Sequence, residues 1–314
     1  MSVLKKRNRI PCAALAGAFA ALALISCATG PAGYTKSLAG AGEFAALAAG
    51  GAVYLTVNVP ASRPILDALD IPLTRNMNKK RAAQILDRTR SAAAAYYPAG
   101  SPRRFQAAAQ GSYPKGRADI AFFFDGAWKK RKSAAGGSYW HSAKDALSVS
   151  LSGDRAFFSD GDPFTPQPGV MSPAGFEDFK GGAAFAGWIE NPPELFNRFL
   201  GSLGLPFKIT ATEAFFAVHQ AGGLYQGTIR IKTPAESDAK GIAAMMRIAG
   251  TFMALSGAAE NGERTPAALL AGVFFANPPE QDGVYLTIRT ASLEPSGMAL
   301  LLSQLSVYST QNQP

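Results

Sequence analysis

His141 and His219 are the only imidazoles in the 314 residues, so a histidine base or a zinc centre would have to use one of them. Neither has a second His or a Glu at a ligand spacing such as HExxH. His141 follows Tyr139 and Trp140 in a strand pattern, and His219 closes the apolar stretch AFFAVHQ at a hairpin. Both read as strand-end or surface histidines. Ser112 with Lys115 and Ser237 with Lys240 have the SxxK spacing of an acylated serine, but the same spacing recurs at Ser2 with Lys5 and the SDN and KTG partners are missing. There is no GxSxG elbow. Asp154, Asp160 and Asp162 cluster in GDRAFFSDGDP without the DxDxDG ladder and closing Glu of a calcium loop, so a turn explains them. Gly40, Gly42 and Ala45 fit GxGxxA with no strand before them, which leaves the spacing without a dinucleotide-binding context. Trp188, Glu190 and Glu194 sit near the end of a strand pattern with no assigned chemistry. The chain therefore leans away from catalysis, although many active sites carry no local signature. No metal or cofactor is expected.

Two other stretches bear on partners. Lys129, Lys130, Arg131 and Lys132 follow Trp128 at the end of a helix pattern. Cations there complement the negative end of a helix dipole, and the same run beside a tryptophan suits contact with anionic lipid. Lys79, Lys80 and Arg81 form a lesser basic patch. From Gly241 to Ala259, nineteen positions hold one charge, Arg247. A helix this apolar covers a sheet; its Met and Gly content also suits a membrane-inserting element or the wall of a lipid cavity.

The chain begins with Lys5, Lys6, Arg7 and Arg9 and then runs uncharged from Ile10 to Ser26. That is the charged and apolar pair of regions of an export signal. It is shorter than the roughly 20 residues of a spanning helix and is interrupted by Pro11. The run closes with Leu24, Ile25, Ser26 and Cys27, which resembles the lipobox of bacterial lipoproteins. The resemblance implies cleavage before Cys27, diacylation of its thiol and usually acylation of the new amine. It covers only the first 27 residues. Two or three acyl chains hold a protein stably where a single chain does not. Cys12, the other cysteine, lies in the removed segment, so the exported chain holds no disulfide. Ala28 stands where Asp would favour retention at the inner membrane, which favours the outer membrane. From 27 to 50 small residues predict a flexible tether, with one helical turn around Glu43 to Ala49.

The elements behind these residues fall into two similar series. RFQAAAQGSYP at 104–114 lies over LYQGTIRIKTP at 224–234 with a constant offset, matching Phe105 to Tyr225, Gln106 to Gln226 and Pro114 to Pro234. AVYLTVNVP at 52–60 matches AFAGWIENP at 184–192, and DALSVSL at 145–151 matches DGVYLTI at 282–288. The first series predicts strands near 52–59, 89–97, 103–112, 137–142, 146–151 and 155–159, with helices near 62–70 and 117–131. An added helical segment covers 76–87. The second predicts strands near 184–190, 208–218, 223–232, 270–276 and 283–290, with helices near 193–203, 235–257 and 295–305. PAGSP at 98–102 and QAGG at 220–223 are hairpin signals. Alternation in TIRIK and YLTIR buries one face and wets the other. The expectation is an α+β fold of duplicated strand-helix-strand-strand-helix-strand-strand units, mostly antiparallel sheet with helices packed on it. The units span 51–160 and 183–308, joined by a Pro/Gly-rich linker at 161–182; one shared sheet and two domains both remain open.

Removing the four cations of the first nine residues takes the formal charge from +9 to +5, too modest for nucleic acid. With 47% apolar residues, the rest can bury one large core or two moderate ones. The sequence thus describes a cell-envelope protein anchored to a membrane by lipid, with a structural or interaction role toward another envelope component. The alternative is a carrier for a lipid or other apolar ligand.

Overall fold

The computed structural model describes residues 43–69, 83, 86–98, 100–164, 169–202, 208–256 and 272–311. The lipobox at Leu24 to Cys27, the tether up to 42, Lys79, Lys80 and Arg81, and the end of the apolar stretch beyond 256 lie outside the described residues.

A 3-10 turn at Glu43–Ala46 leads into β1 (Val53–Asn58) and α1 (Val59–Ala68). There follow β2 (Thr89–Tyr96), β3 (Phe105–Gly111), α2 (Lys115–Phe124), β4 (Trp128–Ser133), β5 (Gly137–Ser142), β6 (Leu147–Ser152) and β7 (Arg155–Ser159). The chain continues through α3 (Phe176–Lys180), β8 (Phe185–Ile189), α4 (Pro192–Ser202), β9 (Glu213–Ala221) and β10 (Leu224–Lys232). It ends with α5 (Glu236–Ser256), β11 (Glu280–Asp282), β12 (Tyr285–Leu293) and α6 (Pro295–Gln311). The strands form one twelve-stranded sheet in the order β11-β12-β10-β9-β8-β1-β2-β3-β7-β6-β5-β4. Every recorded pairing is antiparallel. The fold is α+β, and a single sheet runs through both halves.

Local chemistry accounts for many boundaries. At the start of α1 the Asn58 side chain accepts from the Ala61 amide, and Pro60 fits a first turn that needs no donor. Val59, Ser62, Ile65 and Leu66 then fall on one buried face. Gly222 and Gly223, both at positive φ, close the β9–β10 hairpin. In β10 and β12, Ile231, Leu286 and Ile288 are buried against Ile242, Ala243 and Met246 of α5, following the predicted alternation.

The structure corrects the sequence reading in several places. The helix expected over 117–131 stops at Phe124, and the basic run forms the edge strand β4. Asp125 ends the helix, its carboxylate takes the Ala127 amide, and Trp128 to Ser133 pair with β5 residue for residue. The basic run therefore does not cap a helix. The strand expected at 270–276 is helical at 272–274, and the place beside β12 belongs to β11. Val273 and Phe274 are half-buried against the helix-side core, so this contact rather than strand pairing explains the apolar run. β9 begins at Glu213, because Ile209 is held in a loop by the Asn197 side chain. Residues 43–47 are not free tether, since Phe44, Ala46 and Leu47 are buried. Within 161–182, Phe164 and Phe176 are buried and α3 packs on the sheet.

Both faces of the central sheet are covered. On one face α1, α2 and α6 bury Leu55, Val57, Phe105, Val149, Leu151 and Phe158. On the other, the 43–47 segment and α3 cover Tyr54, Phe157, Trp188 and Phe215. An alanine stripe makes this double burial possible: Ala92 pairs with Ala109 and Ala93 with Ala108, so neither face carries bulk there. Trp188 stacks on Tyr54 at 4.7 Å and 20°, with Phe44 and Phe176 edge-on at 4.4 and 5.0 Å. At the rim the Arg230 guanidinium lies over Phe179 and Phe215, 4.8 and 5.2 Å from their centroids.

Two stability predictions follow from this packing. Gly187 of β8 lies under the Phe216 ring and beside the Tyr54 carbonyl, where a methyl group would fall inside contact distance of both. Gly187→Ala should cost about 1–3 kcal/mol in urea unfolding. Burial holds the Tyr113 phenol, hydrogen-bonded to Thr89 at 3.1 Å, up from 10.0 to about 12. Its protonated form is favoured by folding, so its contribution is complete below pH 10 and lost as pH rises toward 12. Melting temperature should drop across that window, and Tyr113→Phe should flatten the drop while lowering stability at neutral pH.

Candidate membrane-facing corner

The predicted contact residues Trp128, Lys129, Lys130, Arg131 and Lys132 occupy the outermost strand of the sheet, with α2 packed beside it. Phe122 of α2 points inward and is buried. Its ring lies 4.4 Å from that of Trp128 and 5.8 Å from that of Trp140. The Trp140 indole donates to Asp119 at 2.8 Å, which ties the helix to β5. With Phe122 committed to the core, the 3.6-residue period turns its neighbours outward. Ile120, Phe123 and Phe124 are 60, 73 and 80% exposed, the two phenylalanine rings meeting edge to face at 5.5 Å. Lys129, Lys130, Arg131 and Lys132 are exposed, and the Lys130 ammonium stands 5.9 Å from the Trp140 ring centre. Large apolar side chains and four cations thus share one corner.

Most of the other candidates make local structural contacts. His141, opposite Lys129, has its Nδ1 3.0 Å from the Ser148 hydroxyl; burial and the nearby Arg131 lower its pKa. His219 lies on β9 opposite Gln226. Asp160 accepts from the Arg104 and Phe105 amides, and Asp162 from the Ser133 hydroxyl and the Phe164 amide. Asp154 accepts from Ser152. These carboxylates organise turns, and no group of three or more potential metal ligands occurs among the described residues. Glu190 accepts from the Trp188 indole at 2.9 Å, and Glu194 from Asn191. Lys240 pairs with Glu236, one turn away on α5, at 2.7 Å. The described part of the Gly241 to Ala259 stretch belongs to α5, whose Ile242, Ala243 and Met246 cover the sheet. Among the described residues no helix is long and apolar enough to cross a membrane, which says nothing of a β-barrel.

Sequence reasoning missed Phe123 and Phe124 because it read α2 and β4 as one helix. The signal was nonetheless there: in IAFFF at 120–124 one helix face cannot bury three consecutive rings. It also missed Gln106, seen only as an identity with Gln226. The buried Gln106 amide accepts from the Ala48 amide and the Tyr97 hydroxyl and donates to the Ala46 and Pro163 carbonyls. The contrast between the two kinds of phenylalanine is measurable. Phe122→Ala should cost about 3–5 kcal/mol in chemical unfolding, whereas Phe124→Ala should stay within roughly 0.5 kcal/mol of the parent.

No family model and no curated protein matches the chain. Solved structures that share its fold include three crystal forms of TP0453. Crystal form III of TP0453 aligns with a TM-score of 0.55 and 16% identity, over 84% of this chain and 99% of that one. Crystal form I aligns with a TM-score of 0.53 and 16% identity, over 85 and 97% of the two chains. Crystal form IV aligns with a TM-score of 0.54 and 15% identity, over 83 and 96%. At these identities the likeness is one of fold: this chain is similar in architecture to TP0453.

Proposed function

We propose that the protein is a non-catalytic lipoprotein of the cell envelope, held to a membrane by lipid on Cys27, with a structural or interaction role. The observation that carries this reading is the run from Lys5 to Cys27, a charged segment, an apolar segment and Leu24-Ile25-Ser26-Cys27 in immediate succession. Ala28 after the cysteine favours the outer membrane. The first described residue, Glu43, is already packed, its carboxylate accepting from Thr56 at 2.6 Å and Lys180 at 3.3 Å. The chain between Cys27 and Glu43 can span at most roughly 50–60 Å. The body would therefore stay close to the membrane surface.

The body itself we read as a duplicated unit. Supporting this, β1, β2 and β3 run outward from the middle of the sheet on one side as β8, β9 and β10 do on the other. α1 follows β1 as α4 follows β8, and α2 follows β3 as α5 follows β10.

Growth of a bacterium expressing the full chain with radiolabelled palmitate tests the anchor. Label should remain on the protein after exhaustive solvent extraction, and Cys27→Ser should abolish it and leave the precursor mass. Label that solvent removes from both forms would mean a carried lipid and would move the reading to a carrier; no label in either would sink both.

A further inference from the structure

We propose that the corner made by α2 and β4 is a docking surface for an anionic phospholipid bilayer. Phe123 and Phe124 enter the interfacial layer, and Lys129, Lys130, Arg131 and Lys132 lie over the headgroup phosphates. The proposal takes its setting from the anchored reading, but its residues are independent of Cys27.

Two features at this corner have different explanations when taken apart and one when taken together. Lysines on an edge strand prevent edge-to-edge aggregation, and β4 is the last strand on its side of the sheet. Edge protection does not require Ile120, Phe123 and Phe124 to stand 60, 73 and 80% exposed beside that strand. Nor does core packing require it, because Phe122 and Asp119 already join α2 to Trp128 and Trp140 without them. Apolar side chains next to cations are the pattern that a membrane interface rewards, through burial of rings at headgroup level and attraction to anionic lipid.

Charge complementarity selects the occupant. Between Lys115 and Ser133 the sequence holds six cations and two acids, and both acids have structural duties: Asp119 takes the Trp140 indole and Asp125 the Ala127 amide. Strand geometry narrows it further. Side chains alternate across a strand, so Lys129 and Arg131 leave one face of the sheet and Lys130 and Lys132 the other. A peptide lying on either face would meet only two of the four cations. A plane meeting the sheet edge-on is approached by all four, together with the helix packed beside β4, and a bilayer is such a plane. The reach of the segment between Cys27 and Glu43 keeps the corner at high effective concentration near the surface.

The test uses the chain from Ala28 to Pro314, which lacks the cysteine to be acylated and retains every described residue. Its partition is measured by co-sedimentation with vesicles of phosphatidylethanolamine containing one quarter phosphatidylglycerol, and with vesicles of phosphatidylcholine alone. The chain should sediment with the anionic vesicles, weakly with the neutral ones, and less as salt is raised. Phe123→Ser/Phe124→Ser and Lys129→Glu/Arg131→Glu should each lower the partition coefficient by about tenfold or more. Ile248→Ser, at a residue 70% exposed on α5, should leave it unchanged. Circular dichroism confirms that each variant is folded, and the substituted side chains at the corner are exposed. Equal binding to both vesicle types, or corner variants that bind like the parent, would overturn the proposal. So would a dimer in vesicle-free sedimentation that Phe123→Ser/Phe124→Ser dissociates, since a second copy would then be the occupant. Palmitate labelling can fail while vesicle binding holds, and that result removes the anchor and leaves the docking surface.

Discussion

The seam between β1 and β8 is the contact on which the rest of the molecule depends. Tyr54 and Trp188 are directly opposite each other across it, and their rings stack. This pair joins the two halves of the sheet through backbone pairing and at the same time forms the floor on which Phe44 and Phe176 rest. Phe44 belongs to the segment before β1 and Phe176 to the connection before β8. The stack therefore gathers both irregular segments onto one spot. Burying aromatic groups of this size contributes several kilocalories per mole in total, at about 1.5–3 kcal/mol for each large side chain.

That arrangement imposes a second requirement. A face covered by a 3-10 turn, a five-residue helix and their flanking loops brings backbone donors and acceptors that water no longer reaches, and each must find a partner. Gln106 meets three such groups and the Tyr97 hydroxyl from inside β3. Tyr54 and Tyr97 both donate to the Ala48 carbonyl, and the Tyr54 hydroxyl accepts from the Gly51 amide. Glu43 links the segment to Thr56 of β1 and Lys180 of α3. The alanine stripe on β2 and β3 supplies the space for these contacts. Small side chains and a buried amide thus perform on this face what α1 and α6 perform on the other mainly with apolar surface.

An open sheet of twelve strands has two edges, and the chain treats them differently. β11 is three residues long, with Glu280 paired to Arg289, so it offers little for another strand to join. β4 is fully paired to β5 on one side, and its free edge is flanked by four exposed cations, two on each face of the sheet. Charge blocks strand addition there, and the same charge gives the molecule a polarity along the sheet, from a basic, ring-bearing corner to a short acidic edge.

Much of the fold was legible from residue patterns. The alternation in TIRIK and YLTIR and the glycine hairpin at 222–223 report on local backbone geometry, and the strands 89–96, 137–142 and 155–159 lie where their patterns place them. The basic run illustrates the limit. The stretch 117–131 reads as one helix only if the Asp125-Gly126 turn signal is passed over, and the pairing of Trp128 to Ser133 with β5, distant contacts summed over six residues, makes the basic run a strand. The exposure of Phe123 and Phe124 follows from that same break. Likewise, nothing in residues 43–47 announces a buried segment, because the groove it fills is created by alanines some fifty residues later in the chain. By itself the sequence determined what depends on neighbours along the chain: the α+β class, the caps and turns, and the lipobox resemblance at Cys27. Tertiary structure alone decided that one sheet spans both halves, that both its faces are covered, and that rings and cations meet at one corner, because each of these is set by contacts between segments remote in sequence.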